Sequence, residues 1–183
     1  VGSEMCIRDR YEGIDATVKR NTTSLQIIWN MLEQFPGNEQ IAAADAAGTD
    51  TGYMIRVPHS SGMLEGKYTE ETTFEAGDHR SHRPRSWLLN GVKKVEQLRY
   101  LERADRTLGQ AAIQWLLANP RVMTVLPNIY NREQLREFAA ASEAPRLTME
   151  ELAKIDSLFR ANFGLPPEEN AYKGTMVREA SPA

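Results

Sequence analysis

Two stretches of the chain hold most of its chemistry-bearing residues, and each leaves a short apolar run at a proline. The first is Arg56-Val57-Pro58-His59-Ser60-Ser61-Gly62-Met63-Leu64-Glu65-Gly66-Lys67-Tyr68 and the second is Leu126-Pro127-Asn128-Ile129-Tyr130-Asn131-Arg132-Glu133-Gln134-Leu135. Where strands alternate with helices, ligands and their phosphates gather at strand C-terminal ends and helix N-termini, which is where these stretches fall. The glycines of 62–66 also fit as plain turn residues. The Gly62 to Lys67 spacing is one residue short of a triphosphate-binding loop and has Tyr68 where that loop carries Ser or Thr, so a nucleotide triphosphatase is not expected. Asp78-His79-Arg80-Ser81-His82 offers metal-ligand side chains, but the flanking arginines oppose a cation and no third ligand is near; no metal site is expected. Gln26, inside an apolar strand, reads either as a buried structural amide or as a ligand for a bound group. Asn131 with Gln134 reads either as a helix cap or as part of a binding surface. The pairs Glu70-Glu71 and Glu168-Glu169 read as solvated charges.

The elements that would position these residues alternate in type. Leu25 to Asn30 is short, β-branched and aromatic, closed by Phe35-Pro36-Gly37, and predicts a strand. Ile41 to Ala47 predicts a helix ending at Gly48, and Gly52 to Pro58 a second strand, a spacing that suits a βαβ unit. Residues 60–86 predict a long polar loop of the kind that tends to carry function. Val92, Val95, Leu98 and Leu101 mark one helix face; Leu108, Ala111, Ala112, Trp115 and Leu116 mark another, with a capping box at Thr107 and Gln110. Val122 to Leu126 predicts a third strand. A helix starting at Asn131 would bury Leu135, Phe138 and Ala139, and a last helix, capped by Thr148 and Glu151, would bury Leu152, Ile155, Leu158 and Phe159. Residues 164–183 read as an irregular tail.

Composition bounds the rest. With 183 residues, 41% hydrophobic and 26% charged, the chain has the profile of a globular domain. A net charge of −3 without a basic block argues against a nucleic-acid binder, no stretch approaches a membrane span, and one cysteine, Cys6, can make neither an intrachain disulfide nor a thiolate cluster. A cytoplasmic setting is expected. Residues 1–10 lack the apolar segment of a signal peptide and share no pattern with the neighbouring segment; they read as a non-native N-terminus resembling translated adapter sequence. Successive βα units give an α/β fold. Three strands are too few for a closed (β/α)8 barrel of about 250 residues, so the expected fold is the C-terminal part of such a barrel: about three βα units and a C-terminal helix over residues 11–163, then the tail. A doubly wound sheet would need a Gly-rich turn after its first strand, and none is present.

Over roughly residues 11–160 the sequence resembles the aldo-keto reductases. Pro58, Gly62, Leu64, Gly66, Lys67 and Tyr68 match in step the stretch that ends that family's seventh strand. Leu126, Pro127, Asn131, Glu133, Gln134 and Leu135 match the end of its eighth, Leu108 to Pro120 is similar to the segment between them, and Gln26 to Leu32 is similar to its sixth strand. The resemblance implies an NAD(P)-dependent oxidoreductase that reduces small-molecule aldehydes or ketones by hydride transfer, with NADP(H) as cofactor and NAD(H) as the other candidate. It implies that Gln26 bonds the nicotinamide carboxamide and that Arg56 stands where the family has a ring stacked on the nicotinamide. Val57, Pro58, His59 and Gly62 would line the cofactor, Lys67 and Arg80 (or Arg83) would neutralise phosphate charge, and Asn128, Tyr130, Gln134, Glu137 and Phe138 would meet the adenosine end and its 2′-phosphate. Arg132 would supply a small NADPH preference. The family's catalytic Asp, Tyr, Lys and His lie at earlier strands; no catalytic residue is assigned in this chain, which is expected to be a fragment inactive alone. The alternative is a non-catalytic nucleotide-binding or regulatory barrel like the family's channel-associated members.

Overall fold

The computed structural model describes residues 13–20 and 22–166. The expected non-native segment 1–10 with Cys6, and residues 167–183 of the expected tail with Glu168-Glu169, lie outside the described residues. Three parallel strands, β1 (Ser24–Ile28), β2 (Gly52–Arg56) and β3 (Val122–Leu126), form one sheet in the order β1-β2-β3. Parallel neighbours need crossovers. Helix α1 (Gly37–Ala47) makes the first, α2 (Arg85–Glu96) and α3 (Leu108–Leu117) lie within the second, and α4 (Arg132–Ala139) and α5 (Met149–Arg160) come after β3. A π-helical turn at Asp15–Lys19, which the sequence did not suggest, precedes β1.

Side chains alternate across the sheet. Leu25, Ile27, Tyr53 and Ile55 point to one face and are buried with Trp29, Ile41, Ala44 and Leu116 of the surrounding helices and loops, with Val122 and Val125 packed against them. Tyr53 is fully buried, and its hydroxyl donates to the Gln40 carbonyl at 2.9 Å, while the Trp29 indole N–H donates to Asn38 Oδ1 at 2.8 Å, so both polar side-chain atoms in this layer are satisfied. The register pairs Gln26 with Met54 and Met54 with Thr124, then Ile28 with Arg56 and Arg56 with Leu126. These six occupy the opposite face, where none is fully buried. A register shift between Tyr53 and Met54 skips Met123, which is exposed at the β3 edge.

A second core joins α2, α3 and α5 beneath the β2 loop, through Leu64, Leu88, Val95, Leu101, Leu108 and Ile155. Both predicted capping boxes form, at Thr107 with Gln110 and at Thr148 with Glu151, and Gly48 ends α1 at φ 62°. Other expectations shift. The 60–86 segment is not all loop: short 3₁₀ turns form at Met63–Glu65 and His79–His82, and α2 begins at Arg85 rather than near Val92. Leu98 and Leu101 are buried as expected, but Leu101 sits in a 3₁₀ turn (Arg99–Leu101), whose three-residue period also accommodates their spacing. On α4, Leu135 is 52% exposed and Ala139 is exposed, while Gln134, Phe138 and, just beyond the helix, Ala141 are buried. The buried stripe is rotated from the expected face because Phe138 packs on His59 and Ile113 rather than beside Leu135.

One buried charge fastens the last helix to the rest. Arg106 donates to the carbonyls of Leu101 and Pro145 and to Glu151 Oε1 at 2.6 Å, and Arg103 reaches the same oxygen at 2.7 Å. Burial pushes the Glu151 carboxyl up, but hydrogen bonds from Arg106, the Thr148 backbone and Arg103 outweigh it and bring it to about 2.

Candidate functional site

Because the strands are parallel, the segments after β1, β2 and β3 leave the sheet at the same end, so residues far apart in sequence converge there. The segment after β2 turns tightly. Val57, Ser60 and Ser61 have φ of 55°, 47° and 57°, a left-handed conformation that costs a β-branched residue such as Val57 most. The segment after β1 holds that turn. Asn30, fully buried, donates through Nδ2 to the Val57 carbonyl at 3.0 Å and to Glu33 Oε2 at 2.8 Å, while its Oδ1 accepts from the backbone N–H groups of Leu32 and Glu33. Ser60 Oγ donates to the same Glu33 oxygen at 2.9 Å.

The candidate residues fall into three groups. Gln26 and Arg56 stand on the face of the sheet away from the core. His59, Glu137 and Phe138 form the second group. The His59 ring is buried, stacks on Phe138 with centroids 4.4 Å apart, and sets Nε2 3.0 Å from the Gly109 carbonyl. A carbonyl only accepts, so Nε2 carries the hydrogen. Burial pushes the imidazole pKa below its ordinary value and keeps the ring neutral, against smaller opposing effects of the Gly109 bond, Glu65 and Glu137. Glu137 accepts from the Thr107 hydroxyl at 2.7 Å, joining α4 to the α3 cap. Beside this group, the Gln134 amide accepts from the Tyr130 N–H at 2.8 Å and donates to Glu65 Oε2 at 2.9 Å, with Lys67 Nζ 3.5 Å from that oxygen. Asn131 caps α4 by accepting from the Gln134 N–H at 2.8 Å, which bears out the cap reading while leaving the Tyr130 ring 66% exposed.

The third group is Gly62, Tyr68 and Arg80. The Tyr68 hydroxyl fills the space a Cβ would need at Gly62, which sits at φ 90°. Arg80 is held by the Asp78 carboxylate and by the Tyr68 hydroxyl, with its guanidinium 4.8 Å from the Phe74 ring centre. A cavity of about 220 Å³ opens alongside, lined by Phe74, Arg80, Arg83, Arg85 and Trp87 among others. Burial pushes the Tyr68 hydroxyl pKa up, against the opposing charge and hydrogen bond of Arg80. Pro58 is buried, and Asn128 is exposed at the β3 end. No role for Asn30, Glu33 or Glu65 is legible in the sequence, where Asp78 reads only as a metal-ligand type; each acts by binding another polar group.

Among the described residues no cluster of three metal-ligating side chains exists. The polar equipment is instead an amide on the outward sheet face, an exposed ammonium and an exposed aromatic ring at one end of a parallel sheet. That donor set fits a nicotinamide dinucleotide: an amide for the carboxamide, a cation for phosphate, a ring for the base.

The family model that describes the "Aldo/keto reductase family" matches residues 9–160. The chain belongs to the aldo/keto reductase family. The aldo-keto reductase str7 of Strobilurus tenacellus is 31% identical over 124 residues, covering 66% of this chain and 36% of that protein. A probable voltage-gated potassium channel subunit beta of Arabidopsis thaliana is 28% identical over 123 residues, covering 63% and 37%. Among solved structures, the holo form of aldo-keto reductase AKR11C1 from Bacillus halodurans matches with a TM-score of 0.59 and 26% identity, covering 84% of this aldo/keto reductase chain and 48% of that one. The chain thus spans little more than a third of the length of these curated relatives. No helix among the described residues is long and apolar enough to cross a membrane.

Proposed function

We propose that the intact protein is a nicotinamide-dependent carbonyl reductase of the cytoplasm. In this reading the chain forms the C-terminal part of a (β/α)8 barrel, and the outward face of its sheet looks into the barrel. The observation that carries it is the placement of Gln26 and Arg56 on that face, with Arg56 at the C-terminal strand end from which the segments bearing Lys67 and Tyr130 leave. Bound there, NADP(H) or NAD(H) supplies a hydride for a small-molecule aldehyde or ketone. Gln26 binds the carboxamide and fixes the rotation of the ring, and the planar guanidinium of Arg56 stacks beside it. The Asn30 and Glu33 bonds hold Val57, Pro58 and the 57–62 backbone in position, so the turn is organised before the ligand arrives. Lys67 meets phosphate directly, and Arg80 adds positive charge although Asp78 offsets part of it. Asn128 and Tyr130 line the adenosine end, while Gln134, Glu137 and the stacked pair His59 and Phe138 form its floor. The group that donates the proton is not assigned to any residue of this chain.

A second reading is a regulatory barrel that binds the nucleotide without turnover. The similarity to the Arabidopsis channel subunit and the guanidinium of Arg56 beside the redox ring motivate it. Carbonyl-dependent oxidation of NADPH by the intact protein separates the two. Turnover with a panel of aldehydes is expected; saturable binding with no turnover supports the regulatory reading, and absence of binding overturns both.

A further inference from the structure

We propose that Glu65 is a specificity-determining residue, a built-in anion that competes with the ligand's phosphates and weakens binding in proportion to ligand charge. The proposal rests on the dinucleotide reading. Glu65 closes the 3₁₀ turn Met63–Glu65, between Gly62 and Gly66, both at positive φ, so its backbone is held in a defined turn. Its side chain is 12% exposed, and Oε2 accepts from Gln134 Nε2 at 2.9 Å. That bond joins the loop after β2 to α4 across 69 positions of sequence. The same oxygen stands 3.5 Å from the ammonium of Lys67, whose side chain is 62% exposed.

The two partners of Glu65 differ in what a ligand can do to them. The contact with Lys67 is long and solvated, of the kind that contributes little and yields readily to a better anion. Gln134 is not free to leave, because its other amide atom accepts from the Tyr130 N–H and the residue is buried. A phosphate arriving at Lys67 therefore takes the ammonium, while the carboxylate stays fixed by Gln134 and remains beside the bound anion. Near a protein surface such a pair of like charges repels measurably, and salt screens the repulsion. A ligand with the additional 2′-phosphate suffers more than one without it, so Glu65 shifts the preference from NADPH toward NADH.

Glu65→Gln is nearly isosteric and keeps an acceptor for Gln134, so the melting temperature should not move. Titration of the intact protein with each reduced cofactor, read by fluorescence, should give about tenfold tighter NADPH binding and about threefold tighter NADH binding in the variant, the order expected for removing one nearby like charge. In the Lys67→Met background the gain from E65Q should persist for NADPH, because the repulsion acts on the ligand as well as through the lysine. The gain in NADPH affinity from E65Q should shrink with added salt, which screens the repulsion that the substitution removes. Unchanged or weaker NADPH binding in E65Q, or a gain that does not shrink with salt, overturns the role of Glu65 while the dinucleotide reading stands. Binding of neither cofactor by wild type or variant overturns the dinucleotide reading and the role of Glu65 with it.

Discussion

The two faces of the sheet are built from the same fifteen strand positions and obey different rules. On the helix side Leu25, Ile27, Tyr53 and Ile55 are buried, and residue choice answers to volume and to satisfaction of the single buried hydroxyl. On the other side Gln26, Met54, Arg56 and Thr124 set amide, thioether, guanidinium and hydroxyl beside Ile28 and Leu126, a mixture that packing alone does not select. Alternation with a period of two lets one strand serve stability with its odd positions and, in the proposed function, recognition with its even ones. Substitutions on the two faces should therefore separate folding from binding.

The largest effect is expected where the helix layer is fastened. Arg106→Met leaves Glu151 buried with only the partly exposed Arg103, and should cost about 3–5 kcal/mol in chemical denaturation. The pH dependence should change with it. The Glu151 carboxyl is held at about 2 in the folded chain against an ordinary 4.5, so the unfolded chain takes up its proton first. Its contribution is thus present above 4.5 and lost as pH falls toward 2, and the variant should show a flatter acid limb. Ile55→Ala, at the centre of the covered face, should cost about 2–5 kcal/mol by emptying a closely packed volume, whereas Met54→Ala, one residue along and on the other face, should cost less than about 1. Equal losses at 54 and 55 would erase the distinction between the faces.

Smaller effects test the edge of the site. His59 is held neutral by burial, so its contribution is present above its ordinary 6.5 and lost as pH falls below that value; melting curves of His59→Leu should lose this step. Thr107→Ala removes both the α3 cap and the bond to Glu137, and should cost about 1 kcal/mol. If Thr107 also steadies α4, the same variant should raise amide exchange around Phe138 more than around Ile55.

What could be read from sequence was what is decided within a few residues. Both capping boxes, the αL glycine at 48, the bounds of β3 and the succession of strands and helices depend on neighbours at i+3 or on a period of two. The α2 start escapes a sequence reading because Pro84 offers no side-chain cap and the long segment before it is polar. The face of α4 was misplaced because Leu135 and Phe138 are equally apolar and only the position of His59, 79 residues earlier than Phe138, decides between them. The polar links Arg106–Glu151, Glu65–Gln134 and Asn30–Val57 span 45, 69 and 27 positions, and no local pattern announces them. Candidate ligands were legible as types, whereas which of them are already engaged by another side chain became visible only in three dimensions.

The separation of faces is tested most directly at Gln26. In the intact protein, Gln26→Ala should raise the dissociation constant for NADPH about tenfold, the loss of one hydrogen bond to a buried ligand amide, while unfolding free energy changes by less than about 0.5 kcal/mol. Its neighbour on the covered face, Ile27→Ala, should do the reverse when binding is measured at a temperature where the variant is folded. An unchanged dissociation constant in Gln26→Ala, or a loss of affinity in both variants that merely tracks their loss of stability, would contradict the account.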